Sequence, residues 1–373
     1  MLKPTGSKRE SSASKFRGRS VEAAPMNTAD PMAPWATANK LAWAPLMFHA
    51  AKAARDLKVL LAVEESKGGA TREDVCAKTH LSNYAVGVLL DSCEALELMS
   101  RSGDKFRLLP AGWLVEHDPM TRIHMDLNAD VNYRGAEFLK ESLQTGTPVG
   151  LKTLSDAPHI YEALTVLPEP AKTSWFKFDH FYSDQVFPLA KPVVLERKPT
   201  SLLDVGGNTG KWAMIIGGDV PVTILDHPGQ LKEAMANAKE KGLEGRVHGV
   251  EMDLLDHSRP FPTQQDAVWM SQFVCCFGLD DITALLRRAA AALTTDGRVY
   301  VLDTFWDRQP NPVAAYCLHA TSLYFTAMAN GTSRIYSAPD LIGCIQKAGM
   351  VVEDDRHLGV SHTLLICKPA SSP

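Results

Sequence analysis

The chain has 373 residues, enough for two domains, and its 45% apolar and 22% charged residues are ordinary for a soluble globular protein. A net charge of −4 gives no reason to expect nucleic acid or an anionic membrane as a partner, and no apolar run is long enough to span a bilayer. Seven cysteines without C-x-x-C spacing indicate neither a disulfide framework nor a zinc site, so we expect a reduced, cytoplasmic protein without a bound metal.

Residues 1–33 differ in composition from the rest of the chain. The first 25 positions hold six basic residues against two acidic ones, several serines and few bulky apolar side chains. Such a segment buries too little apolar surface to fold, so we predict a disordered basic tail. It is interpreted as a dispensable extension, or as the result of a start codon placed too early, with Met26 as the alternative start.

Residues 34–145 are predicted to form a mainly helical domain. After a long helical stretch, two helical segments and a hairpin follow between 70 and 109, which is the pattern of a winged helix. The second of these helices carries Asp91, Glu94 and Glu97 and no basic residue, so it will not bind among phosphates. We therefore predict a dimerisation domain and not a DNA-binding one.

Residues 146–198 are predicted to link the two domains and to supply helices that line the substrate. The linker begins with a loop rich in glycine and proline. Residues 174–183 then concentrate aromatic side chains around Asp179 and His180, just before the nucleotide fold. We expect this aromatic cluster to deliver side chains to the edge of a cofactor cleft.

A glycine-rich turn follows the first strand of the last domain. An apolar run ends at Val205, the turn contains Gly206, Gly207 and Gly210, and a helix begins again near Trp212. Strand, tight turn and helix form the first half of a βαβ unit. Glycines allow the backbone of such a turn to approach a ligand closely.

Asp204, at the tip of this strand, indicates which kind of ligand binds. A carboxylate there would repel the pyrophosphate of a dinucleotide and favour a ligand with positive charge. S-adenosylmethionine (SAM) carries an ammonium and a sulfonium group and no phosphate. Asp226 ends the next strand, where a ribose diol requires an acceptor. We therefore predict SAM as the cofactor, with a nicotinamide or flavin dinucleotide as the main competitor.

Residues 199–370 alternate between strands and helices in the manner of a doubly wound sheet. Further strands are predicted at 222–226, 247–252, 267–273, 298–303, 350–357 and 361–368, with helices at 229–241, 281–293 and 338–348. A short turn joins the last two strands, so they can pair only antiparallel. The predicted fold class is α/β: a mostly parallel, Rossmann-like sheet with an antiparallel last strand, preceded by the mainly α winged-helix domain.

On these features, residues 34–368 resemble the SAM-dependent small-molecule O-methyltransferases of the plant caffeate and hydroxyindole type. That family has an N-terminal winged-helix dimerisation domain and a C-terminal class I methyltransferase domain. The matching segments are Phe178–Asp184, Asp204–Gly210, Asp226–Pro228 and Met252–Leu255. The resemblance implies a homodimer that methylates a small, aromatic secondary metabolite and has no nucleic acid or membrane partner.

The resemblance also implies roles for residues around the cofactor. The glycines approach the methionine portion, Asp226 takes the ribose hydroxyls, Asp253 and Leu254 flank the adenine, and Tyr182 faces the transferred methyl. The predicted cofactor contacts are therefore Tyr182, Asp204, Gly206, Gly207, Gly210, Asp226, Asp253, Leu254 and Ser271.

The general base of the family, a histidine after the fourth strand, is missing from residues 270–281, where Cys275 stands closest to its place. A thiol in an apolar stretch is a poor base, because burial raises its pKa. Methyl transfer is an in-line displacement that needs a base only when the nucleophile is a phenol or an alcohol. Either the base is one of His180, Asp179 and His319, or the nucleophile is acidic enough to need none, or it is a carbon atom.

Several functions remain open on the sequence. O-methylation is the working hypothesis, and C-methylation of an electron-rich ring or alkene is the first alternative. A non-catalytic SAM-binding or regulatory protein, which lost its chemistry together with the histidine, is an alternative from another class. A dinucleotide-dependent oxidoreductase is the third.

Overall fold

A computed structural model describes residues 32–370 of the chain. These residues form two units, 32–112 and 113–370, each held together by its own contacts. The predicted tail therefore lies almost entirely outside the described residues. Residues 113–198 belong to the same unit as the large sheet, and the functional boundaries predicted at 145 and 198 stay predictions.

The first unit has the predicted helix, turn, helix and hairpin. Its elements are α1 (Ala33–Asp56), α2 (Val59–Glu64), α3 (Arg72–Thr79), α4 (Asn83–Ala95), β1 (Met99–Ser102) and β2 (Lys105–Leu108). The long helical stretch predicted at its start is broken after Leu57, because Lys58 adopts a left-handed φ of 62°. Thr71 begins α3 with a capping box in which its side chain and that of Asp74 bond each other's backbone N–H.

Helices occupy most of the chain between the hairpin and the large sheet. They are α5 (Pro110–His117), α6 (Pro119–Leu127), α7 (Tyr133–Gly135), α8 (Leu139–Thr145), α9 (Ile160–Ala163) and α10 (Ala171–Leu195). Helix α10 has 25 residues and carries the aromatic cluster in its first half. Its second half buries Phe187, Ala190 and Val194 against one face of the sheet, which fixes the position of the cluster.

The large sheet has seven strands, in the order β5-β4-β3-β6-β7-β9-β8. The strands are β3 (Leu202–Val205), β4 (Val222–Asp226), β5 (Val247–Glu251), β6 (Gln265–Ser271), β7 (Leu293–Thr304), β8 (Met350–Leu358) and β9 (His362–Pro369). The first five pair in parallel, and β9 pairs antiparallel with both β7 and β8. The predicted Rossmann-like sheet with an antiparallel last strand is confirmed.

Five helices connect these strands, and four of them pack into the two apolar cores on the faces of the sheet. They are α11 (Lys211–Ile216), α12 (Pro228–Glu240), α13 (Leu279–Ala292), α14 (Pro312–Tyr324) and α15 (Ala338–Lys347). Side chains alternate along β3, so Leu203 and Val205 enter one apolar core and Leu202 enters the other. In the second core the indole rings of Trp212 and Trp269 stack with their centroids 4.0 Å apart.

The strand order reverses at β3, which has β4 on one side and β6 on the other. In open sheets of this kind, a crevice forms outside the carboxyl ends of the two strands at which the order reverses. Both strands end in polar residues here, with Asp204 near the end of β3 and Ser271 at the end of β6. The topology therefore places a polar crevice next to the glycine-rich turn.

Candidate functional site

A cavity of ≈ 370 Å³ opens at the carboxyl ends of β3, β4, β6 and β7. The glycine-rich turn forms part of its floor, and side chains of α10 and α14 form its walls. All of its lining residues belong to the second unit. The cavity is large enough for a small ligand, and it lies where the strand order predicts a binding site.

The turn after β3 depends on glycine. Gly206 has a φ of 72°, and a Cβ atom added to it would lie 2.3 Å from the ring of Phe273. A Cβ atom on Gly207 would lie 2.7 Å from Oδ2 of Asp204. Both glycines line the cavity, whereas Gly210, with a φ of 79°, does not and precedes α11. The turn can therefore offer backbone atoms to a ligand without intervening side chains.

Asp226, at the end of β4, is held in one orientation by backbone donors. The Asn208 N–H donates to Oδ2 at 2.8 Å, and the His227 N–H donates to Oδ1 at 2.7 Å. The side chain is buried, and burial raises its pKa despite these two bonds. Each carboxylate oxygen can accept a further hydrogen bond, so the group fits the diol of a ribose.

Asp204 is a buried carboxyl with an unused oxygen. It is 3% exposed, and its Oδ2 atom has no hydrogen-bond partner among the described residues. Burial and the nearby Asp226 raise its pKa to about 8. Asp204 is therefore protonated at neutral pH, and it does not carry the negative charge that the sequence analysis assumed for it. A cationic ligand would stabilise the ionised form, so the residues present fit the ammonium and sulfonium groups of SAM.

The loop after β5 brings Asp253 and Leu254 to the cavity. Arg288 on α13 fixes the backbone of this loop, and the sequence analysis did not identify it. Its Nη1 donates to the Leu254 carbonyl at 2.6 Å, its Nη2 lies 3.2 Å from Sδ of Met252, and its guanidinium stacks on the Phe261 ring at 4.1 Å. A basic residue on the apolar face of a predicted helix was the signal that could have identified it.

Asp179 and His180, on α10, lie beside the glycine-rich turn. Asp179 accepts a hydrogen bond from Nδ2 of Asn208 at 3.3 Å, and burial raises its pKa to about 6. Nε2 of His180 lies 3.5 Å from the Thr209 hydroxyl, and burial, followed by the charge of Lys211, lowers its pKa. The aromatic cluster does reach the cavity, and its two titratable groups contact the turn.

The structure brings together most, but not all, of the predicted site residues. Tyr182 lines the cavity, and its hydroxyl lies 2.6 Å from Nε2 of His124. Ser271 also lines the cavity, and its hydroxyl has no partner among the described residues. His319 lies on α14 but does not line the cavity; its ring packs on Trp306 with centroids 5.1 Å apart. His319 therefore has no position from which to act on a ligand in this cavity.

Two buried groups that can carry a proton, the Asp303 carboxyl and the Cys275 thiol, lie near the end of β7. Asp303 is 2% exposed, and its Oδ1 accepts from the Thr304 N–H at 2.8 Å. Its Oδ2 has no partner within ordinary hydrogen-bond distance among the described residues, although the backbone N–H and the thiol of Cys275 are close enough to lower the pKa of this carboxyl. Burial raises its pKa to about 7. A hydrogen bond with Cys276, together with burial, raises the pKa of the Cys275 thiol well above its ordinary value. Cys275 therefore keeps its proton at neutral pH, which makes it a poor base.

Sequence reasoning missed Asp303, although a signal was present. It ends a predicted strand of a parallel sheet, as Asp204 and Asp226 do, and carboxyl ends of such strands meet at one edge. Around it the wall is largely apolar and aromatic. Nε1 of Trp175 donates to the Tyr324 hydroxyl at 2.7 Å, and the buried Tyr161 hydroxyl lies next to the Cys276 thiol.

Within residues 32–370, no group of three or more histidine, cysteine or acidic side chains is arranged to hold a metal ion. Across the same range, none of the helices combines the length and the hydropathy needed to cross a membrane.

Comparisons with known proteins agree with this geometry. A Dimerisation2-like domain matches residues 36–106, and an O-methyltransferase domain matches residues 190–349. The chain is similar to the L-tyrosine C(3)-methyltransferase of Streptomyces lavendulae, at 26% identity over 76% of this chain and 78% of that protein. It is also similar to the N,N-dimethyltransferase OxyT of Streptomyces rimosus, at 29% identity over 75% of this chain and 82% of that protein.

The fold is shared with solved structures. The crystal structure of the S-adenosylmethionine-dependent methyltransferase SibL superposes with a TM-score of 0.68, covering 90% of this chain and 99% of that one. At 23% identity, this likeness concerns the fold.

Proposed function

The chain belongs to the family of SAM-dependent small-molecule O-methyltransferases, and from this premise we propose that it methylates a hydroxyl group of a small aromatic metabolite. Methyl transfer from SAM is the activity of the family. The choice of oxygen as acceptor, the aromatic class of the substrate and the roles of individual residues are our proposal.

One observation carries the proposal: two buried carboxyls that can accept further hydrogen bonds, Asp226 and Asp204, flank the same glycine-rich turn. Asp226 is oriented by two backbone donors, and Asp204 keeps Oδ2 free for a cation. We assign the ribose hydroxyls to Asp226, and the cationic methionine portion to Asp204 with Gly206 and Gly207. A dinucleotide would bring a pyrophosphate to this turn, where it would oppose the ionisation of the two buried carboxyls that a cationic ligand favours.

The remaining cofactor contacts are assigned by position. We assign Asp253 and Leu254 to the adenine ring, because both line the cavity and Arg288 fixes the Leu254 carbonyl. Ser271 and Tyr182 line the cavity between the two regions, so we assign them to the neighbourhood of the reacting methyl. When bound, SAM supplies a methyl group already activated by its sulfonium. The protein has to orient the acceptor, exclude water and receive a proton.

Carbon methylation is the second candidate. It is favoured by the absence of a histidine from residues 270–281, and the similar L-tyrosine C(3)-methyltransferase is named for a carbon acceptor. Since the similar OxyT is named as an N,N-dimethyltransferase, relatives of this chain are named for carbon and for nitrogen acceptors. The acceptor atom must therefore be decided by the cavity of this chain.

We further propose a homodimer formed through the first unit and a cytoplasmic location. The Dimerisation2-like match supports the dimer, as do the exposed Trp35, Trp43 and Leu46 of α1. All seven cysteines are free thiols, which agrees with a reducing compartment. Ultracentrifugation of the full chain tests the dimer, and a monomer at micromolar concentration would contradict it.

Calorimetry and product analysis test the function. We expect S-adenosylhomocysteine to bind, and we expect labelled SAM to transfer its methyl to a metabolite in a small-molecule extract. Mass spectrometry of the product then separates O-, C- and N-methylation. Binding without any labelled product would favour the non-catalytic alternative, and stabilisation by NAD alone would favour the oxidoreductase.

A further inference from the structure

We propose that Asp303 is the general base of this enzyme and that its acceptor is an uncharged aromatic hydroxyl compound. The inference deepens the proposed function and rests on it. It follows from the position of one buried carboxyl and from the charges that line the cavity.

Asp303 has the geometry of a base. It is the penultimate residue of β7 and lines the cavity, and the Thr304 N–H fixes its Oδ1 at 2.8 Å. Its Oδ2 atom has no partner within ordinary hydrogen-bond distance among the described residues, and the other donors near this carboxyl are the backbone N–H and the thiol of Cys275. A buried acceptor that nothing in the protein satisfies is unfavourable unless a ligand supplies a donor. A substrate hydroxyl is such a donor.

The titratable side chains next to Asp303 do not change their charge near neutral pH. Cys275, after β6, keeps its proton because the pKa of its thiol is raised well above the ordinary value. On the other side, β9 places Thr363 opposite Asp303 and His362 opposite Thr304. Burial lowers the pKa of His362 to about 4, so it is neutral. Burial raises the pKa of Asp303 to about 7, in the range in which a base works best.

The other candidate bases have different positions. His180 and Asp179 contact the glycine-rich turn through Thr209 and Asn208, which places them with the cofactor. His319 does not line the cavity. Asp303 combines a fixed orientation, an unused oxygen and access to the cavity.

The charges of the cavity define the acceptor. Its lining contains the acidic side chains of Glu162, Asp179, Asp204, Asp226, Asp253 and Asp303. Lys211 is the one lysine, and there is no arginine, among the described residues that line it, and Lys211 is paired with Asp184. Recognition of a carboxylate usually needs an arginine or a free cation. An acceptor with its own carboxylate would find no unpaired lysine or arginine among the described residues that line the cavity, so we assign an uncharged one.

The methyl transfer needs no reagent besides the acceptor and SAM. The hydroxyl oxygen of the acceptor forms the new bond to the methyl carbon, and the carbon–sulfur bond breaks with its electron pair left on sulfur. The hydroxyl proton goes to Oδ2 of Asp303, which releases it to solvent after the product leaves. The products are an aryl methyl ether and S-adenosylhomocysteine.

The acceptor class is tested with a matched pair of fluorescent probes, 1-naphthol and 1-hydroxy-2-naphthoic acid. Each is titrated into the enzyme saturated with S-adenosylhomocysteine, and each is then offered with SAM. We expect at least tenfold tighter binding of the naphthol and methylation of its oxygen. Equal binding of the two, or preference for the acid, would overturn the acceptor class.

The base is tested with Asp303→Asn, which keeps the acceptor for the Thr304 N–H. We expect kcat with 1-naphthol to fall by about 10²–10⁴ and the acidic limb of the pH profile near pH 7 to disappear. A nitro-substituted naphthol, ionised at the assay pH, needs no base, so at saturation the variant should methylate it with nearly the kcat of the wild type. A purely structural role of Asp303 would reduce both rates equally and would overturn the assignment.

Two controls separate these outcomes from loss of the fold or of the proposed function. Asp266→Asn removes a carboxylate at the opposite end of the sheet, bonded to Thr200, and should keep the acidic limb. The difference between the infrared titrations of the wild type and Asp303→Asn should contain a carboxylic acid band that disappears with a midpoint near pH 7, because the bands of Asp179 and Asp204 are present in both proteins. If S-adenosylhomocysteine fails to bind the wild-type protein, the proposed function fails; if it binds and only these tests fail, the inference alone falls.

Discussion

Replacement of Asp204 by asparagine should stabilise the ligand-free protein while it weakens cofactor binding. The folded state raises the pKa of this carboxyl from 3.8 to about 8. Between these two values the unfolded chain has lost the proton and the folded protein still holds it, so stability falls as the pH rises. At pH 7 the penalty reaches up to about 4 kcal/mol. Burying an asparagine amide without hydrogen-bond partners costs about 1–3 kcal/mol, which leaves a net stabilisation of about 1–3 kcal/mol.

Binding should change in the opposite direction. A cationic ligand favours the ionised carboxyl, so the wild-type protein must release a proton when SAM or S-adenosylhomocysteine binds. The affinity of the wild type is expected to rise by close to tenfold per pH unit between pH 5.5 and 7.5. The asparagine variant has no proton to release at this position and should lose that slope.

Urea unfolding and calorimetry over this pH range measure both effects. Since Asp226 and the other carboxyls are present in both proteins, the difference between the two isolates Asp204. Asp266→Asn serves as the matched control with the opposite sign, because hydrogen bonds from Thr200 lower the pKa of Asp266 and removal of that carboxylate should destabilise the protein at pH 7. A variant that unfolds at lower urea than the wild type, or that keeps the pH slope of binding, would refute the reasoning.

Three further substitutions test the turn, the loop and the wall of the cavity. Gly206→Ala should destabilise the protein by about 2–4 kcal/mol in urea unfolding, because its Cβ would lie 2.3 Å from Phe273 at a φ of 72°; unchanged stability would contradict the geometry. Arg288→Met should weaken S-adenosylhomocysteine binding about tenfold in calorimetry, because the Leu254 carbonyl loses its donor. Unaltered binding would remove Arg288 from the site. Tyr324→Phe should lower the free energy of unfolding by about 1–2 kcal/mol, because the buried indole N–H of Trp175 loses its acceptor. A melting temperature equal to that of the wild type would show that this hydrogen bond does not stabilise the protein.

Much of the fold could be predicted from the sequence because it depends on local patterns. Alternating apolar segments and their spacing predicted the strands and helices of the sheet, and the short turn near Gly359 required the antiparallel last pair. The cofactor region was predictable for the same reason. Asp204 and the glycines are neighbours in the chain, and Asp226 ends the adjacent strand.

The acceptor region was not predictable in this way. Asp303 reaches the cavity only because β7 pairs beside β6, and Cys275 follows β6. His319 has the chemistry of a base, yet the packing of its ring on Trp306 keeps it out of the cavity. Arg288 carries a charge on the buried face of a helix, and only the packed structure shows the carbonyl that it serves.

The sequence by itself therefore determined the sheet, the glycine turn and the class of cofactor, since each depends on residues that are close together in the chain. The tertiary structure decided which carboxyl is left without a partner, which of the candidate bases reaches the cavity, and that Asp204 holds a proton until a cation arrives. Burial and pairing are properties of the packed chain, and they set the charge state of an acid more strongly than its residue type does.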